Sequence, residues 1–179
     1  MPTSPLPTLA PAPSTCSLER FIHHYGDIFE HSPWVANAAW NEGLSEVHNT
    51  PDALADLMGR MLQQATPEQQ IAVIQAHPDL AGKAALAGEL TQDSSREQAG
   101  AGLDQCTPEE FSRFEQLNAA YKEKFGFPFV IAVKGLDRHA ILAAFEARLH
   151  NDLMQERDAA IEQIIRIARF RLSVRAEQP

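Results

Sequence analysis

His77 is the residue of this sequence whose type and setting best suit acid–base chemistry. A histidine side chain exchanges protons near neutral pH, so it can serve as a general acid or base. His77 precedes Pro78, and a residue before proline is disfavoured in the α-helical region. We therefore expect His77 at a helix end or in a loop. A partly exposed histidine that only caps the preceding helix is the alternative, and the spacing leaves both interpretations open.

A second set of polar side chains lies in residues 94–98 (SSREQ). Ser94 and Glu97 stand three residues apart, which is typical of a capping box at the start of a helix. In a ligand site, these residues and Gln98 would present a hydroxyl, a carboxylate and an amide at a helix N-terminus, where the helix dipole favours an anion. The two interpretations are compatible, because the start of a helix is a suitable binding edge.

Arg171 is predicted to lie on a buried helix face. It follows Ala168 by three residues and Ile164 by seven, so the three side chains share one side of a helix. A buried guanidinium requires an anionic partner. A carboxylate of the protein is the commoner partner, and a substrate carboxylate is the alternative.

The sequence lacks the patterns of several other kinds of site. None of the seven histidines belongs to an H-x-x-x-H pair or a His–Cys cluster, so we predict no metal site. Cys16 and Cys106 lie far apart and no G-x-S-x-G motif is present, so neither a disulfide framework nor a nucleophilic enzyme is indicated. The net charge of −9, with 15 Lys and Arg scattered along the chain, argues against a nucleic-acid partner.

The elements that must position these residues are predicted to be helices. The composition is typical of a globular protein, with 44% hydrophobic and 22% charged residues, and 179 residues suit one domain. Apolar residues recur at steps of three and four, so we predict an all-α class, a single-domain bundle of about eight helices. Residues 127–133 are rich in β-branched and aromatic side chains but have no partner strand, so an extended segment is expected there.

Capping signals indicate where several helices begin and end. The predicted starts are Ser32-Pro33, Thr50-Pro51, Thr66-Pro67 and Thr107-Pro108. The last of these has the form of a capping box with Glu110, and its helix is expected to end at Gly126. Further helices are predicted over residues 18–30, 138–149 and 152–174.

Residues 1–17 are predicted to form a mobile proline-rich leader, and residues 18–175 the helical domain. The leader contains five prolines and neither an apolar run nor a basic start, so we expect no membrane anchor and no secretory signal. The chain ends in Glu177-Gln178-Pro179 and so lacks a peroxisomal tripeptide. A cytoplasmic protein is therefore expected.

Five ordered blocks of the sequence resemble motifs of the 2-oxo-4-hydroxy-4-carboxy-5-ureidoimidazoline (OHCU) decarboxylase family. The blocks are 29–36 (FEHSPWVA), 77–83 (HPDLAGK), 94–98 with Gly102-Leu103, 125–134 (FGFPFVIAVK) and Arg171-Leu172. Five blocks in family order across residues 18–175 are far more specific than any one alone. Two features depart from the family pattern: the leader has no expected counterpart, and Cys106 stands where an aliphatic residue is expected.

The resemblance implies an all-α, cofactor-free lyase that decarboxylates a small ureido-imidazoline to (S)-allantoin, the third step of urate degradation. It implies that His77 and Glu97 are the catalytic residues. The implied substrate contacts are Pro78, Ser94, Gln98, Phe129, Val130, Ile131, Ala132, Val133 and Arg171. A homodimer is also expected from the family. The competing hypothesis is a non-enzymatic helical interaction module, in which His77, Glu97 and Arg171 are only a polar cluster that ties three helices together.

Overall fold

A computed structural model describes residues 3–177, and all of its regular structure is helical. Within these residues there are nine α-helices, three short 3-10 helices and no strand, which confirms the predicted all-α class. The α-helices are α1 Leu18–Tyr25, α2 Trp34–Glu42, α3 Pro51–Gln63, α4 Pro67–Gln75, α5 Lys83–Leu86, α6 Gln92–Gly100, α7 Pro108–Phe125, α8 Arg138–Arg148 and α9 Leu153–Glu177. The 3-10 helices are Pro13–Thr15, Glu46–Asn49 and Leu103–Gln105. Among the residues described, no helix has both the length and the apolar character needed to cross a membrane.

Threonine caps begin three of the helices as predicted. The hydroxyl of Thr107 accepts a hydrogen bond from the N–H of Glu110 at 3.1 Å, and the Glu110 carboxylate accepts one from the N–H of Thr107 at 3.0 Å. Thr50 and Thr66 likewise accept bonds from main-chain N–H groups three residues later. Helix α7 ends at Gly126, whose φ of +80° is readily adopted by glycine. Local sequence signals therefore determined these helix ends.

The chain between α1 and α2 differs from the prediction. Helix α1 ends at Tyr25 rather than near residue 30, yet Ile28 and Phe29 remain buried. Their spacing is typical of a helix and therefore suggested a longer α1. The loop after α1 buries the same apolar side chains, so their burial does not require a helix. Ser32 does not cap α2, since its hydroxyl donates instead to the carbonyl of Glu30 at 2.8 Å.

The chain divides into two units, the first of which comprises Met1–Val73 and Ile164–Pro179. Its buried core includes Phe21, Tyr25, Leu54, Leu57, Met58, Leu62, Ala168 and Leu172. Gly59 allows α3 to approach α9 closely, because a Cβ atom at this position would lie 3.0 Å from Cγ2 of Ile165. An alanine at this position would require the Ile165 side chain to shift by a few tenths of an ångström.

Arg171 lies on the buried face of α9, as predicted from its spacing to Ile164 and Ala168. Its Nη1 atom is 2.8 Å from Oε2 of Glu30, and both side chains are only 2% exposed. The same nitrogen donates to the carbonyl of Ile28 at 3.3 Å. A carboxylate of the protein therefore provides an anion for this guanidinium, which was the commoner of the two predicted solutions.

The second half of the proline-rich leader forms hydrogen bonds with the rest of the first unit, and the mobility of residues 1–17 stays a prediction. The bonded residues begin at Leu9. The N–H of Leu9 donates to the carbonyl of Asn49 at 2.7 Å, and the Tyr25 hydroxyl donates to the carbonyl of Pro11 at 2.6 Å. Proline favours extended backbone but does not require mobility, because its carbonyl can still accept bonds from the rest of the protein.

The second unit, Ile74–Gln163, is built around an aromatic cluster. The ring of Tyr121 on α7 contacts several phenylalanine rings edge-on or tilted. Phe129 and Phe145 stack with ring centroids 4.0 Å apart and an interplanar angle of 10°. Residues 127–133, which contribute Phe129, are neither helix nor strand, as predicted. This segment is thus an irregular part of the chain held within a helical unit.

The buried Glu30–Arg171 pair yields a stability prediction. Glu30→Gln is expected to lower the free energy of unfolding by about 3–5 kcal/mol, because it removes a buried carboxylate charge from beside a buried guanidinium. The matched control is Asp56→Asn, which removes an exposed partner of Arg169 on the same helix and should cost less than about 1 kcal/mol. Urea unfolding of both variants measures the difference, and equal costs would contradict the prediction.

Candidate active site

His77 begins an irregular loop that connects α4 to α5. Its N–H donates to the carbonyl of Ile74 at 3.2 Å, so it lies at the end of the preceding helix, as the following proline predicts. The side chain is buried, with 8% of its surface exposed. This burial is inconsistent with the partly exposed capping residue that was the alternative. Pro78 follows it and is half-buried.

The loop after His77 adopts a demanding backbone conformation. Ala81 has φ of +50°, a left-handed value that costs a non-glycine residue roughly 1–2 kcal/mol. A Cβ atom at Gly82 would lie 2.7 Å from Cβ of Asp79, so only glycine fits there without movement. Such a conformation persists only where surrounding groups hold it.

Side chains from α6 and α7 hold this loop by its main chain. Gln98 donates to the carbonyl of Asp79 at 3.2 Å and accepts from the N–H of Ala81 at 3.0 Å. Asn118 donates to the carbonyl of Leu80 at 2.9 Å, and these two groups are buried. Three consecutive residues of the loop are thereby fixed by two helices. Both ends of the Gln98 amide bind the loop, so this residue has a structural role besides the substrate contact that the resemblance implies.

Helix α6 begins three residues earlier than a cap at Ser94 predicts. The N-cap is Thr91, whose hydroxyl accepts from the N–H of Ser94 at 3.3 Å, so the predicted Ser94–Glu97 capping box is wrong. Ser94 instead lies in the first turn, and Glu97 and Gln98 in the second. Ser94 and Gln98 are four residues apart on one face and are each 5% exposed, while Glu97 is half-buried. Gln98 lies on this buried face of α6, and it bonds the loop that follows His77.

Two main-chain groups of the 127–133 segment bind side chains of α8 and α9. The carbonyl of Val130 accepts from Nη1 of Arg148 at 2.7 Å, and the N–H of Ala132 donates to Oε1 of Gln163 at 3.0 Å. These bonds lie two residues apart, as expected if one edge of an extended chain faces the two helices. Ile131, between them, is half-buried, and within residues 3–177 its main-chain groups form none of the described hydrogen bonds.

The predicted site residues are distributed over both units. His77, Pro78, Ser94, Glu97, Gln98 and residues 129–133 all belong to the second unit, whereas Arg171 belongs to the first. Among them, the described contacts join Gln98 to the loop that begins at His77. Arg171 is engaged by Glu30 within its own unit.

The sequence interpretation missed Asn118 and Arg148, which hold the two irregular segments. A signal for Asn118 was present, because it shares the apolar face of α7 with Phe114, Leu117 and Tyr121. A polar residue on a buried helix face must find a hydrogen-bond partner. Arg148 carried no comparable signal, since an arginine in the last turn of a helix is common on the surface.

The fold and site define an all-α protein with a buried histidine in a tightly held loop, an arrangement suited to acid–base catalysis. Comparison with known proteins identifies the protein family. The chain belongs to the OHCU decarboxylase family, whose model matches residues 14–173. This match confirms the resemblance found in the five sequence blocks.

Individual relatives cover most of the chain. A 2-oxo-4-hydroxy-4-carboxy-5-ureidoimidazoline decarboxylase from Halalkalicoccus jeotgali is 38% identical over 154 residues, which cover 86% of this chain and 84% of that protein. One from Haloferax volcanii is 38% identical over 157 residues, covering 88% of this chain and 89% of that protein. A solved (S)-allantoin synthase is 30% identical with a TM-score of 0.70, covering 90% of this chain and 51% of that longer chain.

The bond from Asn118 to the loop can be tested by local dynamics. Asn118→Leu removes the donor to the buried carbonyl of Leu80, which should cost about 1–3 kcal/mol. We expect faster hydrogen exchange in a peptide covering residues 77–86, measured by mass spectrometry. Gln116→Leu, an exposed change on the same helix, is the control and should leave this peptide unchanged. Unaltered exchange in Asn118→Leu would show that the loop does not depend on this bond.

Proposed function

We propose that this protein decarboxylates 2-oxo-4-hydroxy-4-carboxy-5-ureidoimidazoline and protonates the product stereospecifically to give (S)-allantoin. One observation carries the proposal: the buried His77 begins a loop that is held by Gln98, the neighbour of Glu97 on α6. The chain belongs to the family, and the resemblance of its sequence blocks implies His77 and Glu97 as the catalytic residues.

The substrate itself explains why no cofactor is proposed. One ring carbon carries both a carboxylate and a hydroxyl, and the neighbouring carbon belongs to a C=N bond. When carbon dioxide leaves, that C=N bond accepts the electron pair, so the ring serves as the electron sink that other decarboxylases obtain from a cofactor. The protein must orient the ring, stabilise the enol-like intermediate and direct one proton to one face.

His77 is the group we assign to proton transfer. It either removes the hydroxyl proton of the substrate or protonates the former C=N carbon, which neighbours the carbon that loses the carboxylate. Its burial supports the assignment, because a proton delivered from within the protein reaches one face of the ring, whereas bulk water reaches both. Glu97 is assigned to orienting the imidazole and raising its basicity.

The 129–133 segment is assigned to recognition of the ureido and ring amide groups. The main-chain groups of Val130 and Ala132 are bonded to side chains of α8 and α9. In an extended chain, the N–H and C=O of Ile131 then point toward the opposite edge. One donor and one acceptor side by side complement an amide group of the substrate. This pairing requires no particular side chain at these positions.

Pro78, Ser94 and Arg171 complete the proposed substrate contacts. Ser94 lies buried in the first turn of α6, where the dipole of the helix favours anionic or electron-rich groups. Arg171 is assigned to anchoring polar groups of the substrate, and its bond to Glu30 would hold the planar guanidinium in one orientation. We further propose a cytoplasmic location and a homodimer, on the basis of the family resemblance.

The proposed roles of His77 and Glu97 predict a loss of both rate and stereochemistry. His77→Ala and Glu97→Gln should remain folded but produce allantoin no faster than the uncatalysed reaction, which gives a racemate. Circular dichroism of allantoin formed from freshly generated substrate measures both quantities. His150→Ala is the matched control, because His150 is an exposed histidine of the same unit.

Two outcomes would overturn parts of this proposal. If His77→Ala retained the wild-type rate and gave only the (S) product, the assignment of His77 would be wrong. If the wild-type protein did not consume the substrate and Glu97→Gln lost about 3–5 kcal/mol of stability, the polar cluster would be structural, as in the interaction-module hypothesis. A catalytic Glu97 should instead contribute little to stability, or even reduce it.

A further inference from the structure

The second unit contains a fully buried carboxylate that the proposed reaction does not use. Glu156 on α9 is 0% exposed and accepts hydrogen bonds from three side chains. The Tyr121 hydroxyl donates at 2.6 Å, the Asn151 amide at 3.0 Å, and Nε of Arg148 at 2.9 Å. The pKa of Tyr121 is raised, mainly by burial and secondly by the hydrogen bond to Glu156, so its phenol stays protonated and donates.

Arg148 connects this carboxylate to the 127–133 segment. Its Nε binds Glu156 while its Nη1 donates to the carbonyl of Val130 at 2.7 Å. Its guanidinium also lies over the ring of Phe129, with Cζ 4.4 Å from the ring centroid, and that ring stacks on Phe145. The planar guanidinium of Arg148 thereby holds the main chain of Val130 and the ring of the adjacent Phe129.

A purely structural role does not require this arrangement. A buried ion pair contributes little net stability compared with well-packed apolar residues of the same volume, because both charges lose their hydration. What the pair does provide is geometry, since a planar guanidinium held on one side by a carboxylate presents its remaining N–H groups in fixed directions. In Arg148, the N–H group on Nη1 points to the carbonyl of Val130.

Two side chains, which we call anchors, bond one edge of the 129–133 main chain and so determine where its other edge lies. Arg148 holds Val130 and Gln163 holds Ala132, so the main-chain groups of Ile131 between them have little freedom to move. Loss of either anchor would allow this main chain to shift. Such a shift would lengthen or misalign the hydrogen bonds from this main chain to the substrate and so weaken its binding.

We propose that Arg148, held by Glu156, is a positioning residue that sets the 129–133 main chain against the substrate. This inference rests on the proposed function, in which that main chain recognises the ureido and ring amide groups. Arg148 does not itself contact the reacting atoms. It acts through Val130 and Phe129, and Gln163 provides the second anchor.

The test compares Michaelis constants of variants that weaken the anchors. Arg148→Lys keeps a positive charge but cannot bind Glu156 and Val130 through one planar group, so we expect KM to rise about tenfold while kcat changes less than about threefold. Gln163→Leu should shift KM in the same direction. Arg113→Lys alters an exposed ion pair with Glu146 in the same unit and should leave both constants unchanged.

Chemical rescue adds a measurement that a purely stabilising role would not affect. In Arg148→Ala, tens of millimolar methylguanidine should lower KM toward the wild-type value, and methylammonium should not. If Arg148→Ala does not fold, the KM values of Arg148→Lys and Gln163→Leu decide. An active wild type whose Arg148→Lys and Gln163→Leu variants keep the wild-type KM overturns the positioning role alone. An inactive wild type overturns the proposed function and this inference together.

Discussion

Buried main-chain groups outside helices must find hydrogen-bond partners, and in this protein side chains supply them. A helix satisfies its own N–H and C=O groups, but an irregular buried segment cannot. The loop after His77 and the segment 127–133 both lack regular structure and contain buried residues. Gln98 and Asn118 bond the first, and Arg148 and Gln163 bond the second. These four polar side chains of the second unit therefore help to meet this constraint.

The same constraint makes the irregular segments suitable for recognition. Chain that is not committed to helical hydrogen bonds can direct main-chain donors and acceptors toward a ligand, provided that side chains prevent it from moving. Ala81 illustrates the cost, because its left-handed conformation is retained beside Gln98 and Asn118. In the proposed reaction the substrate supplies its own electron sink, so fixed placement of a few groups is the main contribution required of the protein.

Each unit contains a buried carboxylate that is paired with an arginine. Glu30 with Arg171 in the first unit and Glu156 with Arg148 in the second are carboxylate–guanidinium pairs with little or no exposed surface on the carboxylate. Each arginine also donates to a main-chain carbonyl, of Ile28 and Val130 respectively. Each pair therefore fixes a piece of non-helical backbone as well as neutralising its own charges. This shared feature explains why arginine rather than lysine occupies both positions, since only a guanidinium offers several donors in one plane.

The all-α class and the ends of several helices were predictable from the sequence, whereas the roles of the candidate site residues stay predictions. Thr107 with Glu110, Gly126 and the His77-Pro78 pair act on backbone within a few residues, so their effects can be read locally. The ordered blocks also identified the family, and periodicity placed Arg171 on a buried face. Local patterns were insufficient where two signals competed, as at Ser94, whose cap position is taken by Thr91.

Contacts between residues far apart along the chain could not be predicted from local patterns. Asn118 lies 38 residues from Leu80, and Tyr121 lies 35 from Glu156. Leu9 in the leader bonds to Asn49, and Arg171 pairs with Glu30, far away along the chain. Helical periodicity shows that a side chain is buried, but the partner it meets depends on how the helices pack. For that reason the sequence suggested the proposed proton-transfer residues, whereas the side chains that hold the loop after His77 and the 127–133 segment were found only in the fold.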